Sequence, residues 1–170
     1  MPTDLFLFNT ADSVAAWSPV DDRVMGGSST SCFRYDPIGH AVFEGTVRPD
    51  NNGGFASVRT QAMDLGVTSA NAYVLKVNGD GKRYKFNLRM EDHFDGVTYQ
   101  TGFVPPTGDW GFLYLPVSQF TASFRGRPVP GAPSLDAALV RQVGFMIADR
   151  QMGPFSLNVQ AIGTVGRSRA

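Results

Sequence analysis

The side chains that could carry out catalysis are few and form no recognisable catalytic pattern. His40 and His93 are the only imidazole bases, Cys32 has no evident partner, and no Gly-X-Ser-X-Gly sequence marks a nucleophilic serine. Aspartate and glutamate residues could be paired as in glycoside hydrolases, but the sequence does not give the distance between their carboxyl groups. The sequence therefore predicts a protein that is not an enzyme.

Residues 91–95 combine carboxylates with the imidazole of His93, and both kinds of group bind metals. Their spacing matches neither an EF-hand nor a histidine-based zinc site, and acidic residues are common at turns for conformational reasons. We expect a solvated turn between two strands here. The sequence predicts no metal site and no cofactor.

Two glycine pairs lie where the backbone has to turn. Gly26 and Gly27 favour a sharp corner over an anion-binding loop, because neither a phosphate-loop nor a dinucleotide-binding sequence surrounds them. Residues 51–54, Asn-Asn-Gly-Gly, join two strand-like patterns and predict a hairpin turn. Arg59 follows this turn and is expected to project from its strand toward a carboxylate, either of a partner or of this chain.

Exposed aromatic and arginine side chains are candidates for binding, since Trp, Tyr and Arg dominate the energetics of protein interfaces. We expect most aromatic residues of the strands to lie in the core. Trp110, beside Asp109, and the segment Phe124-Arg125-Gly126-Arg127 are instead expected at the surface, because that segment lies in a stretch rich in glycine and proline.

The composition fits one globular domain covering residues 1–170. Of the 170 residues 42% are hydrophobic, and 19 glycines and 11 prolines favour many turns over long helices. Equal numbers of basic and acidic residues, 15 of each, argue against a nucleic-acid partner. A single cysteine and the lack of an evident signal peptide predict a cytoplasmic location. No apolar run reaches about 18 residues, so no transmembrane segment is expected.

Short alternations of apolar and polar residues, bounded by Gly, Asn, Asp or Pro, recur along the chain and are typical of a β-sandwich or barrel. They predict strands over residues 5–8, 40–47, 55–59, 72–77, 83–90, 98–104, 110–116, 143–148 and 155–162. Short helices are predicted over residues 10–17 and 134–141, and a long irregular loop over residues 120–133.

Residues 82–90 show the clearest alternation, with large apolar side chains at every second position from Tyr84 to Met90. These side chains are predicted on the core face of their strand. Turn residues on both sides predict that residues 74–77 and 98–103 pair with this strand in an antiparallel meander.

Several segments share their types and their order with those of a known family. They are Asp-Arg-Val-Met-Gly-Gly-Ser at 22–28, Phe-Glu-Gly at 43–45, Asn-Asn-Gly-Gly-Phe-Ala-Ser-Val-Arg at 51–59, Gly-Asp-Gly-Lys-Arg-Tyr at 79–84, Trp110, Phe120, Phe-Arg-Gly-Arg at 124–127 and Gly-Pro-Phe at 153–155. Each segment is weak evidence alone, but together they span nearly the whole chain. In this order they resemble the complex I intermediate-associated protein family.

The resemblance implies an all-β, galactose-binding-like jelly-roll sandwich with one or two short helices. It also implies a role in assembling a multi-subunit membrane complex such as NADH:ubiquinone oxidoreductase, and it supplies no catalytic residues. The candidate binding residues are Asn51, Asn52, Arg59, Asp80, Trp110, Arg125 and Arg127.

Three functions are weighed against these observations, and an unrecognised enzyme ranks last of them. The first is a non-catalytic, chaperone-like domain that binds a protein, such as a subunit of a respiratory membrane complex. The alternative is a module that binds a carbohydrate or another small ligand, since sugars bind aromatic platforms ringed by Asn, Asp and Arg. A concave polar pocket with an exposed aromatic would favour the ligand, and a broad exposed patch would favour the protein.

Overall fold

The computed structural model describes residues 3–21, 28–49, 54–93 and 96–166, and these form a β-sandwich. The strands are β1 (Thr3–Leu7), β2 (Trp17–Pro19), β3 (Thr30–Asp36), β4 (His40–Val47), β5 (Ala56–Thr60), β6 (Ala70–Asn78), β7 (Tyr84–Arg89), β8 (Thr98–Phe103), β9 (Gly111–Pro116), β10 (Thr121–Phe124), β11 (Arg127–Pro128), β12 (Gln142–Ile147) and β13 (Gly153–Gly166). All nine predicted strands are present, with ends shifted by a few residues.

The strands form two antiparallel sheets. The six-stranded sheet has the order β3-β4-β13-β6-β9, and β1 pairs with the far part of the long strand β13. The seven-stranded sheet has the order β11-β10-β8-β7-β12-β5-β2. Strands β9 and β3 are at the two ends of the first order, and β11 and β2 are at the two ends of the second.

The core lies between the sheets and is rich in aromatic residues. Tyr84, Phe86 and Leu88 of β7 are at most 1% exposed, which confirms the predicted core face of this strand. Phe145 of the neighbouring β12 lies 5.4 Å from Phe86 and 5.9 Å from Trp17, measured between ring centroids. Such ring contacts stabilise the core beyond the burial of their apolar area.

The predicted meander around β7 is half right. Pairing of β7 with β8 is confirmed, but β6 pairs with β13 and β9 in the other sheet. Residues 79–83 therefore cross from one sheet to the other. Gly81, at φ +90, serves this crossover and not a hairpin.

Both predicted short helices are present but are shorter than predicted. Ala11–Val14 and Ala137–Leu139 each form one turn of 3₁₀ helix. Asp136 caps the second turn by accepting a hydrogen bond from the N–H of Ala138 at 3.0 Å. Strands β2 and β12 begin three residues after these turns, so the chain has no room for a second helical turn.

The predicted irregular loop over residues 120–133 is also partly wrong. It contains β10, which pairs with β8, and β11, which pairs with β10. The predicted turn at residues 51–54 lies outside the described residues except for Gly54, whose φ is +127. No helix among the described residues is long and apolar enough to cross a membrane.

Candidate functional site

The predicted binding residues that the structure describes do not form one site. Arg59 lies on the outer side of the seven-stranded sheet, and Arg125 and Arg127 lie in the hairpin at the edge of that sheet. Trp110 precedes β9 in the six-stranded sheet, and Asp80 lies in the crossover between the sheets. The remaining two, Asn51 and Asn52, lie outside the described residues.

Asp80 holds the crossover to β13 and β7. Its carboxylate accepts hydrogen bonds from the N–H of Ser156 at 2.8 Å, from the N–H of Lys82 at 3.1 Å and from the hydroxyl of Tyr84 at 3.1 Å. Burial, and then the charge of Asp80, raise the pKa of Tyr84 well above its usual range. These contacts give Asp80 a bracing role, and its role in binding stays a prediction.

The two sheets differ in charge, although the chain as a whole is neutral. Strands of the seven-stranded sheet carry four basic residues and no acidic one: Arg59, Lys85, Arg89 and Arg127. Strands of the six-stranded sheet carry three acidic and two basic residues: Asp4, Asp36, Glu44, Arg34 and Lys76. The composition could not reveal this separation, because it appears only when the strands are sorted into sheets.

We call the outer side of the seven-stranded sheet, together with the β10–β11 hairpin, the basic face. Arg59 lies opposite Gly144 in register, and the alternate residue Val58 is fully buried, so Arg59 points outward. Lys85 is 30% exposed and its Nζ lies 3.6 Å from Asp149, which compensates part of its charge. The basic face is thus partly neutralised at one end by a residue from a connecting segment.

A row of mostly polar residues, which includes the cation Arg59, crosses the basic face. In register across the strands, the row consists of Thr121, Gln100, Asn87, Gly144, Arg59 and Ser18. Oδ1 of Asn87 is buried and has no hydrogen-bond partner among the described residues. Such an acceptor costs free energy unless water or a ligand satisfies it.

The Phe124–Arg127 segment forms a two-residue hairpin turn. Arg125 and Gly126 both have positive φ, +50 and +80, and Phe124 lies opposite Arg127 in register. This is a type I′ turn, which suits the twist of a β-hairpin. The guanidinium carbon of Arg125 lies 5.4 Å from the ring centroid of Phe124. The turn therefore presents arginine and an exposed aromatic ring at the edge of the seven-stranded sheet, with Phe124 and Arg127 on the side that Ala122 faces and Arg59 on the other side.

An aromatic row, consisting of Trp110, Phe112 and Tyr114, lies along the edge strand β9. Phe112 and Tyr114 are 60% and 62% exposed, while the alternate residue Leu115 is buried. Nζ of Lys76 lies 5.5 Å from the centroid of Phe112. The imidazole of His40 meets Trp110 edge to face, with centroids 5.2 Å apart.

Sequence reasoning missed two members of this row, because it assigned strand aromatics to the core. Residues 110–115 read Trp-Gly-Phe-Leu-Tyr-Leu, so both faces of the strand are apolar and alternation alone does not say which face is inside. In the structure β9 is an edge strand with Leu115 facing the core and Phe112 and Tyr114 facing solvent. Large apolar side chains on both faces of one short strand are the signal that would have marked it.

Glu91 and Asp92, in the segment predicted to form a solvated turn, accept hydrogen bonds from residues at the start of β12 and just before it. Asp92 accepts a hydrogen bond from Nε of Arg141 at 2.8 Å, and the carbonyl of Glu91 accepts one from the amide of Gln142 at 2.8 Å. Within residues 3–21, 28–49, 54–93 and 96–166 no group of three or more His, Cys, Asp or Glu side chains is arranged to hold a metal.

A hollow of about 1130 Å³ lies beside the segment that follows the hairpin. Its two aromatic lining residues, Tyr99 and Phe120, are only 4% and 8% exposed. The hydroxyl of Tyr99 donates to the carbonyl of Pro133 at 2.6 Å and holds this segment in place. The hollow thus lacks an exposed aromatic platform among its described lining residues.

The comparisons with known proteins decide the family. The family model "Complex I intermediate-associated protein 30 (CIA30)" matches residues 6–159. The chain belongs to this family. "Complex I intermediate-associated protein 30, mitochondrial" from Drosophila melanogaster is 26% identical over 94% of this chain and 61% of its own length. The Neurospora crassa protein of the same name is 23% identical over 95% of this chain and 72% of its own length.

Among solved structures, this CIA30 chain is similar to a family 11 carbohydrate-binding module from Clostridium thermocellum in complex with a β-1,3-1,4-mixed-linked tetrasaccharide. The TM-score is 0.72 at 16% identity, and the alignment covers 99% of this chain and 98% of that module. The similarity confirms the predicted all-β jelly-roll sandwich.

The predicted cytoplasmic location is wrong. CIA30 relatives from Drosophila melanogaster and Neurospora crassa are named as mitochondrial proteins, and these names point to mitochondria. The prediction rested on the single cysteine and on the lack of an evident signal peptide. A single cysteine fits any compartment that keeps thiols reduced, so it could not single out the cytoplasm.

Proposed function

We propose that this chain is a non-catalytic protein-binding domain that assists the assembly of complex I. Its family and the names of its relatives support the assembly role. The observation that carries the binding site is the charge of the seven-stranded sheet, whose strands hold four basic residues and no acidic one. The partner is an acidic segment of a complex I subunit or of an assembly intermediate.

The hairpin at the edge of the seven-stranded sheet is part of this binding surface. Arg125 lies in the type I′ turn and Arg127 directly follows it, so the backbone that carries both side chains has a defined conformation before they meet a carboxylate. A guanidinium can bind a carboxylate through two parallel hydrogen bonds, and the ring of Phe124 adds apolar contact area beside it. Arginine with an aromatic neighbour is typical of residues that dominate interface energetics.

The shape of the surface also supports a protein partner. The basic face is a broad sheet surface, whereas the described hollow of about 1130 Å³ has only buried aromatic side chains in its lining. Broad, open surfaces suit proteins and enclosed pockets suit small ligands.

The experiment is a capture of partners from the native cell with the double variant Arg125→Asn, Arg127→Ser. Asparagine followed by Gly126 keeps a favourable type I′ turn, so the melting temperature is expected to stay within a few degrees of wild type. Recovery of complex I subunits is expected to fall at least fivefold. Arg48→Ser, an exposed arginine after β4 of the other sheet, is the matched control and is expected to retain wild-type recovery.

Unchanged recovery of complex I subunits with the double variant would contradict this binding site. A loss of recovery together with a fall in melting temperature of ten degrees or more would show that the arginines act on the fold. Wild-type chain that recovers no complex I subunit at all would contradict the assembly role itself.

A carbohydrate ligand is the second candidate, and one observation favours it. The unpartnered Oδ1 of Asn87 lies in a row with the amide of Gln100 and the guanidinium of Arg59, and such groups bind sugar hydroxyls. Titration calorimetry with mixed-linked β-glucan tetrasaccharide tests it. We expect no heat of binding at millimolar sugar, and a saturating signal that Asn87→Ala abolishes would favour the carbohydrate.

A further inference from the structure

Strand β9 is an edge strand without the features that normally prevent edge-to-edge pairing. Natural edge strands avoid association by being very short, by carrying charges or proline, or by bulging. Strand β9 has six residues, Gly-Phe-Leu-Tyr-Leu-Pro, with no charged residue, and its proline stands only at its end. Among the described strands only β6 pairs with it.

The other edges of the sandwich are protected. Strand β2 has three residues and ends in Pro19, and β11 has two, Arg127 and Pro128. Strand β3 carries Arg34, which is ion-paired with Glu44 at 2.6 Å. Strand β1 carries Asp4 and a bulge directly after it. Strand β9 lacks such protection, so its free edge is suited to pairing with another strand.

We propose that a second copy of this chain occupies this edge, with β9 pairing antiparallel to β9 of the copy about a two-fold axis at Leu113. An isologous contact of this kind needs a self-complementary strand. In this register Leu113 faces Leu113 of the copy, Phe112 faces Tyr114, and Trp110 faces Pro116. Aromatic pairs directly opposite each other are among the favourable cross-strand pairs.

The charges and the area are compatible with this dimer. No charged residue lies in β9, so no like charges face each other across the axis, and Lys76 lies over Phe112 one strand away. At 37%, 60% and 62% exposure, Trp110, Phe112 and Tyr114 still offer roughly 350 Å² per copy, given that an aromatic side chain buries about 150–250 Å². Two copies thus expose roughly 700 Å² of aromatic surface about the axis, against the about 1,000 Å² that a specific interface buries. Pairing covers the part of this surface that faces the copy, and the paired backbone adds to the buried area.

The surface lies on β9 of the six-stranded sheet and includes none of the basic residues of the seven-stranded sheet, so this proposal and the proposed assembly role can fail separately. The contact would join two six-stranded sheets into one continuous sheet. A dimer would then present two equivalent binding surfaces to its partners.

Sedimentation equilibrium on the full chain tests the association. Wild type is expected to dimerise at concentrations of about 10–100 μM, and Phe112→Ser with Tyr114→Ser is expected to weaken association at least tenfold while the melting temperature stays close to wild type. Ile38→Ser, at an 86% exposed turn, is the control and should dimerise as wild type does. A wild type that remains monomeric at 100 μM overturns the proposal.

Cysteine trapping tests the register, in a Cys32→Ser background because Cys32 is exposed. Leu113→Cys is expected to give a disulfide-linked dimer within minutes of mild oxidation, and Ile38→Cys is expected not to. Phe112→Cys with Tyr114→Cys provides the same test at exposed positions, should the Leu113 variant fold poorly. Equal cross-linking at position 38 and at β9, or none at either β9 variant, overturns the pairing.

Discussion

At the scale of single residues, two buried tyrosines show how the same side chain can have opposite effects on stability. Tyr73 is fully buried and its hydroxyl has no partner among the described residues. The hydroxyl of Tyr84 is almost as deeply buried but donates to the carboxylate of Asp80 at 3.1 Å. A buried hydroxyl stabilises the fold only when its hydrogen bond is made.

This contrast predicts opposite outcomes for the two phenylalanine variants. Tyr73→Phe is expected to leave the free energy of unfolding unchanged or to raise it by up to about 1 kcal/mol, because it removes an unsatisfied hydroxyl. Tyr84→Phe is expected to lower it by about 1–3 kcal/mol, because it removes a buried hydrogen bond to a carboxylate. Urea denaturation of both variants measures this, and a larger loss for Tyr73→Phe would refute the assignment.

The same tyrosines predict the behaviour of the fold at high pH. Burial raises the pKa of both hydroxyls above the ordinary value near 10, and the charges of Asp136 near Tyr73 and Asp80 near Tyr84 raise it further. The folded chain keeps these protons to a higher pH than the unfolded chain, so their contribution is complete below about pH 10 and is lost as pH rises above it. Denaturation between pH 8 and 11 should show this decline, and it should be shallower in the double phenylalanine variant. An equal slope in wild type and variant would count against it.

At the scale of elements, close packing between neighbouring strands limits which residues the basic face can carry. An added Cβ at Gly144 of β12 would lie 2.5 Å from the carbonyl oxygen of Val58 in β5. Gly144 lies in the middle of the polar row, opposite Arg59. The missing side chain therefore lets β5 and β12 approach each other at the centre of the surface.

Replacement of this glycine tests the packing. Gly144→Ala is expected to lower the free energy of unfolding by about 1–3 kcal/mol, because the clash is with backbone and the strand must shift. Gly131→Ala is the control, since nothing lies within 4 Å of an added Cβ there, and it should change little. Equal melting temperatures of the two variants would mean that the strands are less closely packed than described.

The elements also show what the sequence can predict. Strands with strict alternation, such as β7, were predicted with the correct inward face, because a half-buried strand leaves a period of two. The sequence does not predict strands β2, β10 and β11, because two to four residues are too few to show an alternation of apolar and polar side chains. Strand β3 is not predicted either, because Phe33 is its only buried residue. The pairing of β6 failed because a glycine-rich turn and a sheet-to-sheet crossover use the same residue types.

The hairpin gives a prediction at this scale. Gly126, at φ +80, is expected to tolerate no β-branched residue, so Gly126→Val should destabilise the hairpin and lower the melting temperature, whereas Arg125→Asn should leave it equal or slightly higher. Thermal melting by circular dichroism compares the two. A Gly126→Val chain as stable as wild type would contradict the type I′ assignment.

At the scale of the whole molecule, the two sheets carry different surfaces. The seven-stranded sheet carries the basic face, and the six-stranded sheet carries the aromatic edge. The sequence indicated several of these residues, including Arg59, Arg125, Arg127 and Trp110, but could not assign them to surfaces. The order of strands in a sheet depends on pairing between residues far apart in the chain, and local sequence patterns do not predict that pairing.

A neutral chain with one basic sheet should bind an acidic partner in a salt-dependent manner. Capture of complex I subunits is expected to weaken several-fold between 50 and 300 mM NaCl, because exposed charges are screened as the Debye length shortens. The capture experiment repeated at four salt concentrations measures this. Recovery that is constant or rises with salt would point to an apolar contact in place of the basic face.

The most direct test of the central claim is photo-cross-linking from the basic face in the native cell. A photoreactive amino acid replaces Thr121, which is exposed beside Gln100 on this face, and a matched variant carries it at Ile38 on the opposite sheet. We predict cross-links from position 121 to acidic segments of complex I subunits or assembly intermediates, and none of these from position 38. Cross-links to complex I subunits from position 38 alone, or from neither position while the tagged chain is present and folded, would contradict the account.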